Sequence, residues 1–334
     1  MSDIKKVKLG SQGLEIPTIG LGCMGMTDIM GMNTYGKANE QEAIATIHRS
    51  LELGGNFLDT ADLYGSLKNE QLISKAIQGK RDQVIIASKF GFEIDDDHKQ
   101  TGKVNGSKAY VKKAAERSLK NLNTDYIDLY YLHRLDKSTP IEETVEAMGE
   151  LVKEGKVRYI GLSEVGSETI KKAHQIHPLT AIQTEYSLFE RQVEELGILD
   201  TINDLGIGFV AYSPLGRGFI SGDLKHPEDL PADDWRRYLP KFQGEQFYKN
   251  IELLNAVKAM AEEKQITVSQ LAIAWVIAKG YIPIPGTKRP KYVEQNIAAT
   301  YVELSKEDLQ KLEEIIPIET KTGDRYADMS DVNL

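Results

Sequence analysis

Apolar and polar positions along the chain repeat one figure. A short apolar run is followed by a loop, then by a stretch whose apolar residues recur every three to four positions, the spacing of an amphipathic helix. Helices are expected at about Glu40–Leu53, Asn69–Ile77, Lys108–Leu122, Ile141–Glu154, Ser167–Gln175, Val193–Leu205, Ile251–Lys264, Val268–Lys279 and Lys291–Ile297, with Ser305–Ile315 added behind them. The apolar runs are IPTIGLG, with its strand ending at Gly20, then FLD at Phe57, VIIAS at Val84, YIDLYYL at Tyr126, VRYIGLS at Val157, AIQTEYS at Ala181, IGFVAYS at Ile207 and YIPIPG at Tyr281. Ahead of them, Val7–Ile16 alternates apolar and polar residues around a glycine-containing turn, which predicts a small β-hairpin.

Strands that alternate with helices pair in parallel through right-handed crossovers, and eight such units predict a closed (β/α)8 TIM barrel behind an N-terminal β-hairpin. An open doubly wound sheet fits eight evenly spaced units less well. No shift of composition divides residues 1–334, so a single barrel domain is expected. The segment from Pro214 to about Asn250 is rich in Gly, Pro and charge. It follows a strand and exceeds an ordinary connection, so it is read as a functional loop.

Composition changes the picture mainly by exclusion. The 334 residues are 41% hydrophobic and 27% charged, ample for one large core, and carry a net charge of −9. That acidity, without a long basic run, argues against nucleic acid or an anionic membrane as partner. One cysteine, Cys23, permits no intramolecular disulfide, and the histidines show no metal-ligand spacing. With no secretory segment after MSDIKKVKLG and no long apolar run, a cytosolic (cytoplasmic) protein is expected.

In a barrel, chemistry gathers at the C-terminal ends of the strands. Those ends carry Asp59, Lys89 and His133, with Tyr64 just beyond Asp59 in FLDTADLYG. A phenol is a weak acid at neutral pH, and a nearby cation favours its ionised form. Lys89 supplies that cation, and Asp59 on the neighbouring strand is placed to pair with it. Singly, Lys89 reads as a snorkelling strand-end lysine and His133 as a core histidine; four such groups at consecutive strand ends read as a site. GLGCMG, Gly20 to Gly25, fits the dinucleotide fingerprint in spelling but opens no helix, so that reading is rejected.

FLDTADLYG, IIASKFG, YYLHR, GLSE, YSPLGRGFISG and IPGTKR, in this order, resemble the aldo-keto reductases, most closely the bacterial and plant members with a short C-terminal loop. The chain is also similar to pyridoxal reductases and to the β subunits of voltage-gated potassium channels. The resemblance implies NADPH-dependent reduction of a small aldehyde or ketone, with Tyr64 as proton donor, Lys89 lowering its pKa, Asp59 pairing with Lys89, and His133 placing the carbonyl. It further implies that the backbone of Gly22, Cys23 and Met24 lines the nicotinamide. Ser163, Glu164 and Gln183 contact the carboxamide, and Tyr212 stacks on the ring. Family members commonly carry Asn where Glu164 stands. Ser213, Pro214, Leu215, Gly216 and Arg217 match the loop over the pyrophosphate, and Gly286, Thr287, Lys288, Arg289, Gln295 and Asn296 match the adenosine end. Two cations ahead of a helix favour a 2′-phosphate, hence NADPH. The alternatives are a regulatory barrel protein like the channel subunits, against which the hairpin's start near Val7 speaks, and a cofactor-free hydrolase using Asp59 with Asp62 or Glu164. The loops Met24–Tyr35 and Phe90–Val104 and the loop after Gly216, with Met26, Met30, Met32, Phe92 and Trp235, are expected to wall an apolar pocket.

Overall fold

The computed structural model describes residues 4–28, 35–36, 38–329 and 332. Met30 and Met32 lie outside them. The hairpin is β1 (Lys6–Leu9) and β2 (Leu14–Pro17), paired antiparallel. The barrel strands are β3 (Leu21–Gly22), β4 (Phe57–Asp59), β5 (Ile85–Phe90), β8 (Ile127–Leu132), β9 (Val157–Ser163), β10 (Ala181–Glu185), β11 (Gly208–Tyr212) and β12 (Ile282–Pro283). Between β5 and β8 stands a second hairpin, β6 (Phe92–Ile94) with β7 (Gln100–Val104). The eight barrel strands form one parallel sheet in sequence order, and a bridge from Gly22 to Gly286 closes it into the (β/α)8 barrel.

Around the sheet run α1 (Glu40–Glu52), α2 (Lys68–Ala76), α3 (Lys108–Leu122), α4 (Ile141–Lys153), α5 (Ser167–Ile176), α6 (Gln192–Glu195), α7 (Ile198–Asp204), α8 (Gly244–Glu263), α9 (Val268–Ala278), α10 (Pro290–Ala298) and α11 (Lys306–Ile315). Their starts have local causes. Asn39 and Ser107 accept backbone N–H bonds at the openings of α1 and α3, and Thr267 with Gln270 makes a capping box for α9. No helix among the described residues is long and apolar enough to cross a membrane.

Four expectations shift. The first barrel strand is Leu21–Gly22 rather than a run ending at Gly20, because Ile16 and Pro17 are spent pairing in the hairpin. The helix expected over Val193–Leu205 is two, broken by Gly197 in a left-handed conformation. The long loop ends at Gly244, where α8 begins seven residues before the expected Ile251; Phe247, its early anchor, packs on Phe219. The segment Phe90–Val104, expected as loop, contains β6 and β7, turned around the exposed Asp96 and Asp97.

The barrel interior is stacked in layers by the two-residue period of its strands. Phe57, Ala87, Leu129, Tyr131, Ala181, Val210, Ile282 and Ile284 form a lower apolar layer together with Leu9, Leu14 and Ile16 of the hairpin, which plugs the bottom. Gly161, opposite Tyr131 in the β8–β9 register, leaves room for that ring: a Cβ there would lie 2.5 Å from it and 2.5 Å from the Ala181 carbonyl. Two residues further along, the same inward positions become Asp59, Lys89, His133, Ser163, Gln183 and Tyr212.

Candidate active site

The upper layer brings the four expected catalytic residues together. Lys89 is fully buried, and its ammonium donates to Asp59 Oδ1 at 2.5 Å, to the Thr60 carbonyl at 2.8 Å and to Tyr64 Oη at 3.4 Å. Three N–H groups thus meet three acceptors, as burying a cation requires. Because Lys89 donates into the Tyr64 oxygen, the phenolic proton is left to point elsewhere. His133 stands edge-on to Tyr64 with ring centroids 6.0 Å apart, and Phe92 backs it at 5.1 Å. The His133 Nδ1 atom is buried and has no hydrogen-bond partner among the described residues.

Burial raises the Tyr64 pKa above its usual 10.0, outweighing the opposing pull of Lys89. The expected lowering by Lys89 is therefore present but not dominant, and the phenol is held protonated. Burial alone would push the Lys89 ammonium down, yet Asp59 and Tyr64 together hold it above its ordinary range. His133 is pushed well below 6.5 by burial, with Arg134 and Lys89 adding to the effect, so it is a neutral imidazole at pH 7. Burial likewise raises the Cys23 thiol, whose Sγ faces the Leu21 carbonyl, and that thiol is inert at neutral pH.

Tyr64 is positioned by a knotted loop. Thr60 N–H bonds to Ala87 O and Asp62 N–H to Lys89 O, while Gly65, Ser66 and Leu67 all take left-handed conformations. Buried Asn69 accepts from Thr60 Oγ1 and donates to the Cys23 carbonyl, tying this loop to β3. Arg117 on α3 reaches Asp62 Oδ2 at 3.0 Å, the Ile94 carbonyl and the Tyr110 hydroxyl, joining the Tyr64 loop to the β6–β7 hairpin. Burial, with Glu70 nearby, pushes the Asp62 carboxyl up to about 8 despite Arg117. Neither Asp62, bonded to Arg117, nor Glu164, bonded to Arg325, pairs with Asp59 as the hydrolase reading needs.

The residues expected at the cofactor occupy the same rim. Gly22 is paired with Asp59 across β3 and β4, and Cys23 N–H bonds the Asp59 carbonyl, with Met24 next in chain. The Gln183 amide N–H donates to Asp59 Oδ2 at 2.8 Å and orients that carboxylate. Ser163 is buried beside it in the β9–β10 register, and Tyr212 ends β11. Ser213, Gly216 and Arg217 turn through left-handed conformations around Pro214 and Leu215. The Arg217 side chain is taken by Glu185, through Nε at 3.2 Å and Nη2 at 2.6 Å, while its Nη1 is buried without a hydrogen-bond partner among the described residues. Lys288 Nζ donates to the Gly36 carbonyl at 2.5 Å, whereas Arg289, exposed at the start of α10, makes no ion pair among the described residues. Gln295 and Asn296 lie on α10, Asn296 lining a small cleft with Gly20 and Leu21. Met26 is packed in the core and also lines a cleft with Leu72 and Lys75, and Trp235 lies 5.2 Å from the Arg217 guanidinium.

Several contributors were not foreseen: Asn69, Arg117, Glu185, Arg134, Arg325 and Tyr326. Arg134 donates to the His133 carbonyl and to the Tyr326 hydroxyl. The YYLHR motif contains it, and GDRYAD holds a glycine turn before Arg325 and Tyr326 that could have drawn attention past Ile315.

The comparisons agree with this geometry. The model of the aldo/keto reductase family matches residues 18–317. A probable aldo-keto reductase 1 of Glycine max is 44% identical over 328 residues, covering 97% of this chain and 92% of that protein. The glycerol dehydrogenase AKR11B4 of Gluconobacter oxydans superposes with a TM-score of 0.84 at 27% identity, covering 93% of this chain and 94% of the other. The aldo-keto reductase AKR11C1 of Bacillus halodurans, solved in its holo form, gives 0.77 at 31% identity, covering 94% and 96%. A barrel plugged by a hairpin, read together with a family match over nearly its whole length, places the chain in the aldo/keto reductase family, whose chemistry is carbonyl oxidoreduction.

Proposed function

We propose that the protein is an NADPH-dependent reductase of aldehydes or ketones, with Tyr64 as proton donor. The carrying observation is the buried chain from Asp59 through Lys89 to Tyr64, with a neutral His133 facing the phenol. The residues fit a nicotinamide cofactor: Arg217 Nη1 and the Nε and Nη2 atoms of Arg325 are buried N–H groups lacking an acceptor among the described residues, and a bound group rich in oxygen would supply one. When bound, the cofactor supplies the hydride that no side chain carries.

The chain's own residues do the rest. As charge develops on the carbonyl oxygen, Tyr64 gives up its proton and a ring N–H of His133 donates a hydrogen bond, so the charge is met by two positioned donors. Lys89 stabilises the phenolate left behind, and Asp59, held by Gln183, keeps Lys89 in place. Burial keeps water from competing for these bonds. The raised Tyr64 pKa favours reduction over the reverse direction, which needs a tyrosinate. Arg289 at the N-terminus of α10, without an ion pair among the described residues, is a cation available for a 2′-phosphate, which supports NADPH over NADH. Mixing the protein with NADPH and a panel of small aldehydes and ketones, and following loss of nicotinamide absorbance, tests the reading. No turnover of any carbonyl would overturn it.

A further inference from the structure

Beyond α11 the chain returns across the rim. Thr322 Oγ1 donates to the Phe189 carbonyl at 2.6 Å, and Asn250 holds the Thr322 carbonyl at 2.9 Å. Past a left-handed Gly323, Arg325 turns inward until its side chain is 1% exposed, and Nη1 meets both oxygens of Glu164, at 3.0 and 2.8 Å. Glu164 Oε1 also accepts the Glu185 N–H at 3.0 Å. Next in chain, the Tyr326 hydroxyl lies 3.3 Å from that of Tyr212, with the Arg217 guanidinium 4.2 Å over its ring.

A fully buried ion pair is costly to desolvate, and a neutral amide at Glu164 would need no cation. The glutamate and the arginine therefore act as one buried pair, made across 161 residues of sequence. Its place matters electrostatically. Glu164 follows Ser163 at the end of β9, one strand from Gln183 and two from Tyr212. A nicotinamide ring is neutral when reduced and positive when oxidised, so a bare carboxylate there would favour the oxidised form and oppose reduction.

Resting on the proposed reductase reading, we infer that Arg325 is a positioning residue of the nicotinamide half-site: it fixes the Glu164 carboxylate as an acceptor for the cofactor's amide and cancels its charge, so that the site does not discriminate against the reduced ring. The C-terminal segment is then part of the active site, and the pair Glu164–Arg325 sets the balance between the two cofactor forms.

Calorimetric titration of NADPH and NADP+ into the full chain, without substrate, tests this. Arg325→Met leaves the carboxylate bare and should shift the ratio of the two dissociation constants about tenfold or more toward NADP+. Glu164→Gln leaves the cation bare and should shift it the opposite way. The double variant should return the ratio to that of the unaltered chain. A merely structural role would weaken both forms alike, so equal losses, or shifts of both single variants in one direction, overturn the inference. Should Arg325→Met fail to fold, Glu164→Gln and the double variant still decide it by the same ratio. If the unaltered chain binds neither form, the reductase reading itself fails, independently of Arg325.

Discussion

The two ends of the barrel interior are built from the same strands and differ in everything else. At the bottom, Phe57, Ala87, Tyr131, Ala181 and Val210 pack with Leu9, Leu14 and Ile16 of the hairpin. Two residues on, the same strands present Asp59, Lys89, His133, Gln183 and Tyr212. The lower layer is held by burial of apolar surface, which is non-directional and tolerant of shape. The upper layer is held by hydrogen bonds in which each buried donor needs its own acceptor, and it keeps a few donors unmatched. Stability and chemistry are thus separated by about one pleat of strand, and substitutions on either side should fall on different observables.

The largest expected effect is at the top. Tyr64→Phe should lower carbonyl turnover by about 10²–10⁴-fold, the range for loss of a positioned acid, while the unfolding midpoint barely moves. Steady-state kinetics alongside urea unfolding would check it; near-normal turnover would remove Tyr64 as the donor. Next is its mirror at the bottom. Phe57→Ala should destabilise the fold by about 3–5 kcal/mol through the cavity it leaves, yet spare turnover per folded molecule. A collapse of turnover in the folded fraction would show that the layers are not independent.

Smaller is Gly161→Ala, level with Tyr131 and Ala181 of the lower layer. Its methyl would press on Tyr131 and the Ala181 carbonyl, so a loss of about 1–3 kcal/mol is expected in urea unfolding. Smaller again, Arg289→Ala should weaken NADPH about 10- to 100-fold and leave NADH nearly unchanged, since one charge-assisted contact contributes roughly 1.5–3 kcal/mol. Fluorescence titration of both cofactors reads this, and equal losses would separate Arg289 from the 2′-phosphate.

The least effect expected is an absence of change. His133 is held well below 6.5 and Tyr64 above 10.0, so neither changes protonation between about pH 7 and 8, and the maximal rate of reduction should be flat there. The stability sign follows from the same depression. The unfolded chain protonates His133 near 6.5 while the folded chain resists, so this residue's contribution is present above that pH and lost as pH falls below it. His133→Gln should lessen the acid-side loss measured by urea unfolding at two pH values.

The layering was legible because strand periodicity fixes which residues share the inward face, and Asp59, Lys89 and His133 stand at strand ends that any register preserves. Tyr64 sits outside a strand, yet its short distance from Asp59 kept it within reach. What escaped depended on contacts distant in sequence. Nothing local to Glu164 announces a cation 161 residues away, and Gln183 faces Asp59 only once the barrel closes. Lys288 shows the same limit from the other side: nothing local to its charge announces that its ammonium donates to the Gly36 carbonyl 252 residues away. The β6–β7 hairpin was hidden because its turn carries three aspartates, and charge density at a tip masks the alternation of the short strands beside it.

The closure of the barrel rests on its two shortest strands. β3 and β12 have two residues each and meet through the Gly22–Gly286 bridge, with Gly20 N–H on the Pro283 carbonyl and Gly22 N–H on the Pro285 carbonyl. The approach is so close that a Cβ on Gly22 would lie 2.8 Å from the Ile284 carbonyl. Elsewhere the strands share up to five paired positions, so this seam is where the staves are most easily parted. A molecule gripped by both lips, one at Cys23 and the other at Thr287, would act as a hoop around them. Its departure would let the seam breathe, and amide protons at Gly20 and Gly22 would exchange with solvent ahead of those in β8 and β9.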